Sequence, residues 1–186
     1  MDNYTQELLS SRAAAEAITT PRDSIDQGAL RERQRYAEST YNDKAVSKAG
    51  AKGAFQIMPA VYEEYSKKMG ETGDLFDPEY NGRMRDRIWG DLYNSFTATN
   101  KKPSDRIRTA KAAAMYNRGR GAVGDFLDKE KKAGVDIYNS LDWVDHIPWP
   151  ETKNYVKWVV FGEDVPGTQM NRKQFEEAKA KLTKKK

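Results

Sequence analysis

Residues 38–59 read ESTYNDKAVSKAGAKGAFQIMP, from Glu38 and Ser39 to Met58 and Pro59. The stretch opens on a carboxylate at the end of a helix-forming segment. It continues through small and polar residues, with Gly50 and Gly53 open to backbone turns that other residues resist. It closes in an apolar turn, Phe55-Gln56-Ile57-Met58, stopped by Pro59. A single acid held beside such a loop is what general acid catalysis on a sugar chain requires. Its use then depends on the groove that the other residues build around it.

On the N-terminal side, a helix starts near Ser24 or Asp26, either a good N-cap, and runs through Leu30, Arg33 and Ala37 to Glu38. On the C-terminal side, Pro59 suits the first turn of a helix, PAVYEEYSKKM, which Gly70 ends. Asp77-Pro78 starts another, with Met84, Ile88, Leu92 and Phe96 at helical spacing. An alanine-rich helix is expected over 106–116, stopping at the glycines of Asn117-Arg118-Gly119-Arg120-Gly121, and a short one over 123–132. Ile147-Pro148-Trp149-Pro150 is extended, because proline disfavours helix in the residue before it, and a helix restarts over 151–160. No period-2 run or internal repeat stands out, so the fold class is all-α.

The 186 residues suffice for one domain. Hydrophobic residues at 38% and charged ones at 32% make a polar balance, but ten Tyr, six Phe and four Trp supply core volume and argue against global disorder. A net charge of +4 suits an acidic partner such as nucleic acid, anionic glycan or a bacterial envelope, without choosing among them. The absence of cysteine excludes a disulfide framework and a thiolate metal site. No apolar run reaches the ~18 residues of a membrane span. The first residues lack the basic and continuous apolar regions of a signal peptide, so action outside the cytoplasm would need another carrier. The expected division is an N-terminal helical arm over 1–23, a domain over 24–162, and a charged tail over 163–186 that forms a solvated helix fraying into a basic end.

Three further blocks follow residues 38–59 in order: Asp74-Leu75-Phe76-Asp77-Pro78-Glu79-Tyr80-Asn81, Ala114-Met115-Tyr116-Asn117-Arg118-Gly119-Arg120-Gly121, and Ile147-Pro148-Trp149-Pro150-Glu151-Thr152-Lys153-Asn154-Tyr155-Val156. Together they resemble the lytic transglycosylases of the soluble (SLT, family 1) type, a branch of the lysozyme-like superfamily. That family's pattern is Glu-Ser, a loop with Ser and Gly-Ala-x-Gly, then Gln-Ile-Met-Pro, Asp-Pro-x-x-Asn, Ala-Tyr-Asn-Ala-Gly-x-Gly and Glu-Thr-x-x-Tyr-Val. The resemblance covers roughly residues 30–160. It implies a helical, lysozyme-like fold of the SLT and goose-type lysozyme kind, peptidoglycan glycan strands as substrate, and neither cofactor nor metal.

By the resemblance, Glu38 is the general acid that protonates the glycosidic oxygen between N-acetylmuramic acid and N-acetylglucosamine. To hold its proton near neutral pH its site must be partly dry, and Tyr41, Phe55, Ile57 and Met58 are the apolar neighbours at hand. The motif contains no second carboxylate. In the family the substrate's 2-acetamido oxygen attacks the anomeric carbon, and the acid, now a base, takes the C6 hydroxyl proton as a 1,6-anhydro ring closes. Ser47 matches the loop serine near the acetamido group, while Ser39 suits orienting the loop by side chain to backbone bonding. Gln56 and Met58 match the groove floor; Tyr116 and Asn117 face the acid. Glu151 would hold the site tyrosines and Tyr155 line the groove.

Two features depart from the pattern or stand outside it. Arg118-Gly119-Arg120-Gly121 replaces Ala-Gly-Pro-Gly, giving a basic and less rigid loop. Its arginines are candidates for stem-peptide or wall-anion contacts, with a solvated surface as the plainer account. His146 is the lone histidine and builds neither a metal site nor a His-based triad. Trp149 suits either a sugar face or a core anchor.

The resulting expectation is a lytic transglycosylase that opens the cell wall locally, carried in a phage virion or exported to the periplasm and wall. Virion or secretion-apparatus proteins would attach through the N-terminal arm or basic tail. A hydrolytic muramidase using the same Glu38, and a virion structural or cargo protein retaining the fold, stay open as alternatives. A basic nucleic-acid binder is the least supported, given so modest a charge.

Overall fold

The structure, a computed structural model, describes residues 24–95 and 103–184; the arm expected over 1–23 and Phe96 lie outside these. The described residues form seven α-helices: α1 (Gln27–Ser39), α2 (Pro59–Met69), α3 (Pro78–Asn94), α4 (Asp105–Arg118), α5 (Arg120–Lys132), α6 (Pro150–Val156) and α7 (Arg172–Thr183). The only β-type pairings among them are the isolated bridges Val46 to Lys52 and Lys52 to Ile57, so the all-α expectation holds.

Local chemistry sets most helix ends. Asp26 caps α1, its Oδ1 accepting from the Ala29 amide at 3.0 Å. Asp77 caps α3 by accepting from the amides of Glu79 and Tyr80 at 2.8 and 2.9 Å. Pro59, Pro78 and Pro150 occupy the first turns of α2, α3 and α6, where a missing N–H leaves no bond unmade. Gly70, at φ 68°, ends α2. The boundary after the alanine-rich helix differs from expectation. Gly119, at φ 95°, turns the chain so sharply that α5 begins at Arg120 rather than at 123.

Helix α4 lies at the centre, packed against α3, α5 and α6. Its alanines 110, 112, 113 and 114 are all buried, and their small side chains let the neighbouring helices approach closely. The helix expected over 151–160 is α6 followed by a π turn at Lys157–Phe161. Arg33 of α1 explains it: Nε and Nη2 donate to the carbonyls of Val159 and Val160 at 2.9 and 3.3 Å. Trp158 Nε1 donates back to the Arg33 carbonyl at 3.2 Å, which locks the π turn beside α1.

The expected solvated tail contains α7, and α7 is docked. Phe175 is 8% exposed and packs edge-on against Tyr36 and Trp158, with ring centroids 5.4 and 5.6 Å apart. The docking face is Phe175, Ala178 and Leu182, three apolar positions at helical spacing among charged residues.

Candidate active site

Glu38 sits in the last turn of α1. The chain then leaves through Thr40 and Tyr41, both left-handed at φ 51° and 65°. Such conformations cost roughly 1 kcal/mol or more per non-glycine residue. They persist because the Thr40 amide donates to Tyr36 O at 2.8 Å and the Arg35–Asp43 ion pair, at 2.7 Å, braces the turn. Ser39 Oγ donates to Arg35 O at 3.2 Å, so this serine bonds into its own helix instead of orienting the loop.

The Glu38 carboxyl accepts a hydrogen bond from the Tyr155 hydroxyl at 2.6 Å. Burial pushes its pKa from the ordinary 4.5 up to about 7. The Tyr155 hydrogen bond pulls it down, the charge of Glu151 pushes it up, and that of Arg85 pulls it down. The negative end of the α1 dipole acts in the same direction as burial. Near neutral pH, both the acid and its conjugate base are therefore within reach.

The loop after Glu38 is clamped by side chains. Gly53 has φ 80°, and a Cβ there would lie 2.1 Å from Leu75 O and 2.3 Å from Asn81 Nδ2. Fully buried Asn81 donates to Leu75 O and Lys52 O at 2.9 and 3.2 Å and accepts from the Phe55 amide at 2.9 Å. Gln56 is left-handed at φ 48°, and its Nε2 donates to Gly53 O and Ala45 O at 3.0 and 3.3 Å. Ser47 Oγ accepts from the Ala51 amide at 3.0 Å. The partners of Gln56 and Ser47 on this loop are thus backbone groups of the loop itself.

The facing wall comes from α4 and α6. The Tyr116 hydroxyl donates to Phe55 O at 2.9 Å and ties the end of α4 to the loop. Burial, then the charge of Glu38, raises the pKa of this phenol. Asn117 Oδ1 accepts from the Thr152 hydroxyl at 2.7 Å. Glu151 is exposed in the first turn of α6 and reaches Glu38 through its charge. The link between the last block and the Tyr-Asn pair is therefore made by Thr152, not by Glu151. Tyr155 is 4% exposed and holds the acid more than it lines a groove.

A groove of about 410 Å³ runs beside this cluster, lined by Gln56, Met58, Tyr65, Leu92, Tyr116 and Arg120 among others. Its lining does not include Glu38; Tyr116 connects the two. The structure thus brings Glu38, Tyr155 and Tyr116 together, and sets Gln56, half-exposed Met58 and Tyr116 along the groove. Among the described residues, no hydrogen bond joins Ser47 or Glu151 to Glu38.

Four contributors had no assigned role in the sequence: Gln34, Asn81, Arg85 and Thr152. Gln34 carries one signal, its position four residues before Glu38 on the same helical face. Asn81 carries another, its fixed place after Asp77-Pro78. Nothing local marks Arg85. Outside the cluster, His146 pairs with Glu130 at 2.5 Å. Trp149 packs edge-on against Phe126 at 6.0 Å, with the Arg118 guanidinium 4.9 Å from its ring. Among the described residues, no group of three or more His, Cys, Asp or Glu could hold a metal, and no helix is long and apolar enough to cross a membrane.

Comparison with known proteins adds relatives. A family model described as the transglycosylase SLT domain matches residues 35–139. The soluble lytic murein transglycosylase of Escherichia coli K12 is 32% identical over 128 residues, covering 66% of this chain and 18% of that protein. Membrane-bound lytic murein transglycosylase F of Alteromonas mediterranea is 28% identical over 132 residues, covering 68% and 26%. Among solved structures, the 70 kDa soluble lytic transglycosylase of E. coli superposes with a TM-score of 0.57 at 29% identity, over 70% of this chain and 20% of that one. Its complex with bulgecin A gives the same score at 30% identity. The chain spans about a fifth of the length of the soluble relatives it matches.

Proposed function

Because this chain belongs to the transglycosylase SLT domain family, we propose that it cleaves peptidoglycan glycan strands as a lytic transglycosylase, with Glu38 as its only catalytic carboxylate. Glu38 begins protonated and passes its proton to the glycosidic oxygen between N-acetylmuramic acid and N-acetylglucosamine. The N-acetylglucosamine leaves with that proton as a hydroxyl. The 2-acetamido oxygen of the muramyl residue holds the anomeric carbon meanwhile. Glu38, now a carboxylate, takes the proton of the C6 hydroxyl as its oxygen displaces the acetamido group and closes the 1,6-anhydro ring. Glu38 ends as it began, and no water is consumed.

The observation that carries this reading is the Glu38 carboxyl raised to about 7 and hydrogen-bonded by Tyr155, since one group must act as acid and then base at one pH. A neighbouring carboxylate within about 5 Å would favour a retaining hydrolase, but the acid that acts on Glu38 is Glu151, exposed and without a hydrogen bond to it among the described residues. In this proposal Gln56, Met58 and Tyr116 form the wall against which the glycan lies. Asn117 and Tyr155 fix that wall and the acid. Ser47 keeps its hydroxyl proton for the acetamido group, and Glu151 tunes Glu38 by charge.

Purified sacculi and mass spectrometry of the products test it. The chain should release 1,6-anhydromuropeptides and Glu38→Gln none; reducing-end sugars would instead identify a hydrolytic muramidase. The finer setting, local wall opening during phage infection or macromolecular export, is part of the same proposal. It is tested by tracing the protein to purified virions or to the periplasm.

A further inference from the structure

Next to the Glu38–Tyr155 pair lies a buried polar pair that the proposed chemistry leaves unused. Gln34 and Arg85 are 0% and 4% exposed. Gln34 stands one turn before Glu38 on α1, which places both side chains on one face. Arg85, on α3, donates from Nε to Gln34 Oε1 at 2.6 Å and from Nη1 to Asp86 Oδ1 at 3.0 Å. Its guanidinium lies 4.4 Å from the centroid of Trp89, whose ring in turn meets Tyr116 at 6.2 Å. Arg85 Nη2 is buried without a hydrogen-bond partner among the described residues. Gln34 Nε2 is likewise buried without a hydrogen-bond partner among the described residues.

A cation this deep is expensive unless an anion answers it, and the desolvation penalty runs to several kcal/mol. Here the answer is incomplete: one neutral amide, the rings of Trp89 and Phe55, and an aspartate whose side chain is 52% exposed. An apolar residue of similar size would fill the space more stably. Arginine cannot relieve the strain by shedding its proton, as a lysine could. What the cation does reach is the active cluster, since its charge acts on Glu38, Tyr116 and Tyr155 together.

We propose that Gln34 and Arg85 are positioning residues of the acid site: Gln34 holds Arg85 against the Glu38–Tyr155 pair, and Arg85 is the fixed cation that stabilises the Glu38 carboxylate once its proton has passed to the leaving oxygen. The proposal rests on Glu38 being the general acid. A single-acid mechanism makes Glu38 alternate between neutral and anionic forms in a site that has lost most of its water. The barrier then depends on preorganised charge in place of solvent. From α6, Tyr155 donates to Glu38 and Glu151 opposes its ionisation; from α4, Tyr116 stands beside it as a neutral phenol; from α3, Arg85 is the cation. Without Arg85, Tyr155 alone would oppose burial and Glu151, and Glu38 would hold its proton more tightly.

The test follows Glu38 directly, by NMR titration of carbon-13-labelled glutamate carboxyls, with its signal assigned by its loss in Glu38→Gln. In Arg85→Met the Glu38 titration should move up by roughly one pH unit. Gln34→Met removes the amide oxygen that holds Arg85 and adds no charge beside Glu38, so it should move the titration up in the same direction and carries the test if Arg85→Met does not fold. Arg85→Lys, which keeps the charge, should stay near the wild-type titration. The alkaline limb of wall cleavage should follow the titration, with the maximal rate down about tenfold. A titration unmoved in both Arg85→Met and Gln34→Met overturns the proposal, even if both variants lose activity through instability. A wild-type protein that shows these shifts but cleaves no wall overturns the proposed function and leaves the positioning of Glu38 by Arg85 supported.

Discussion

Replacing Glu38 by glutamine should make the fold more stable at neutral pH and leave its stability unchanged in acid. The folded protein holds the Glu38 proton up to about 7, against an ordinary value of 4.5. A group raised on folding contributes its stability in full below the lower value and loses it as pH climbs through the higher one. Across that interval each pH unit removes about 1.36 kcal/mol, which sums to ~3 kcal/mol by pH 8. Partial exposure of the side chain brings this to ~2–3 kcal/mol. Glutamine is nearly isosteric, carries no charge, and its amide oxygen can still accept the Tyr155 hydroxyl. Glu38→Gln should therefore gain ~2–3 kcal/mol at pH 8, or about 5–10 °C in Tm, and less than about 0.5 kcal/mol at pH 4. Urea unfolding of both proteins at pH 4, 6 and 8 measures it. An equal difference at all three pH values, or a variant less stable at pH 8, would refute the view of Glu38 as a buried acid kept partly protonated by its surroundings.

Gly53→Ala should lose at least ~3 kcal/mol in urea unfolding, because its Cβ would overlap Leu75 O and Asn81 Nδ2 at 2.1 and 2.3 Å in a backbone already at φ 80°. A loss under ~1 kcal/mol would mean that the loop is not packed against α3 as described. Phe175→Ala should lower stability by ~3–4 kcal/mol through the cavity left beside Tyr36 and Trp158. Thermal unfolding reads it, and an unchanged Tm would mean that α7 is not docked.

Much of the frame is legible where the cause is local. Asp26, Pro59, Gly70 and Asp77 set helix ends by bonds or backbone angles within a few residues, so their chemistry can be read along the chain. Long-range effects are not readable in this way. Arg33 shapes the π turn from 126 residues away, and Phe175, with Ala178 and Leu182, docks the charged tail against a core that includes Tyr36 of α1. In the last block, Glu151 and Thr152 are adjacent, and which of them faces Asn117 depends on how α6 is rotated against α4.

The acid site divides in the same way. The sequence alone determines that Glu38 ends a helix and is followed by a loop in which Gly50 and Gly53 permit turns that other residues resist, because helix termination and backbone sterics depend on neighbouring residues. The resemblance of its motifs to those of the family also brings Tyr116 and Tyr155 forward as candidates. The tertiary structure decides how Glu38 is tuned. Tyr155 lies 117 residues away and Arg85 is held to Gln34 across 51. A carboxyl's affinity for its proton is set by burial and by the charges within a few ångströms, and only the folded chain establishes which groups those are.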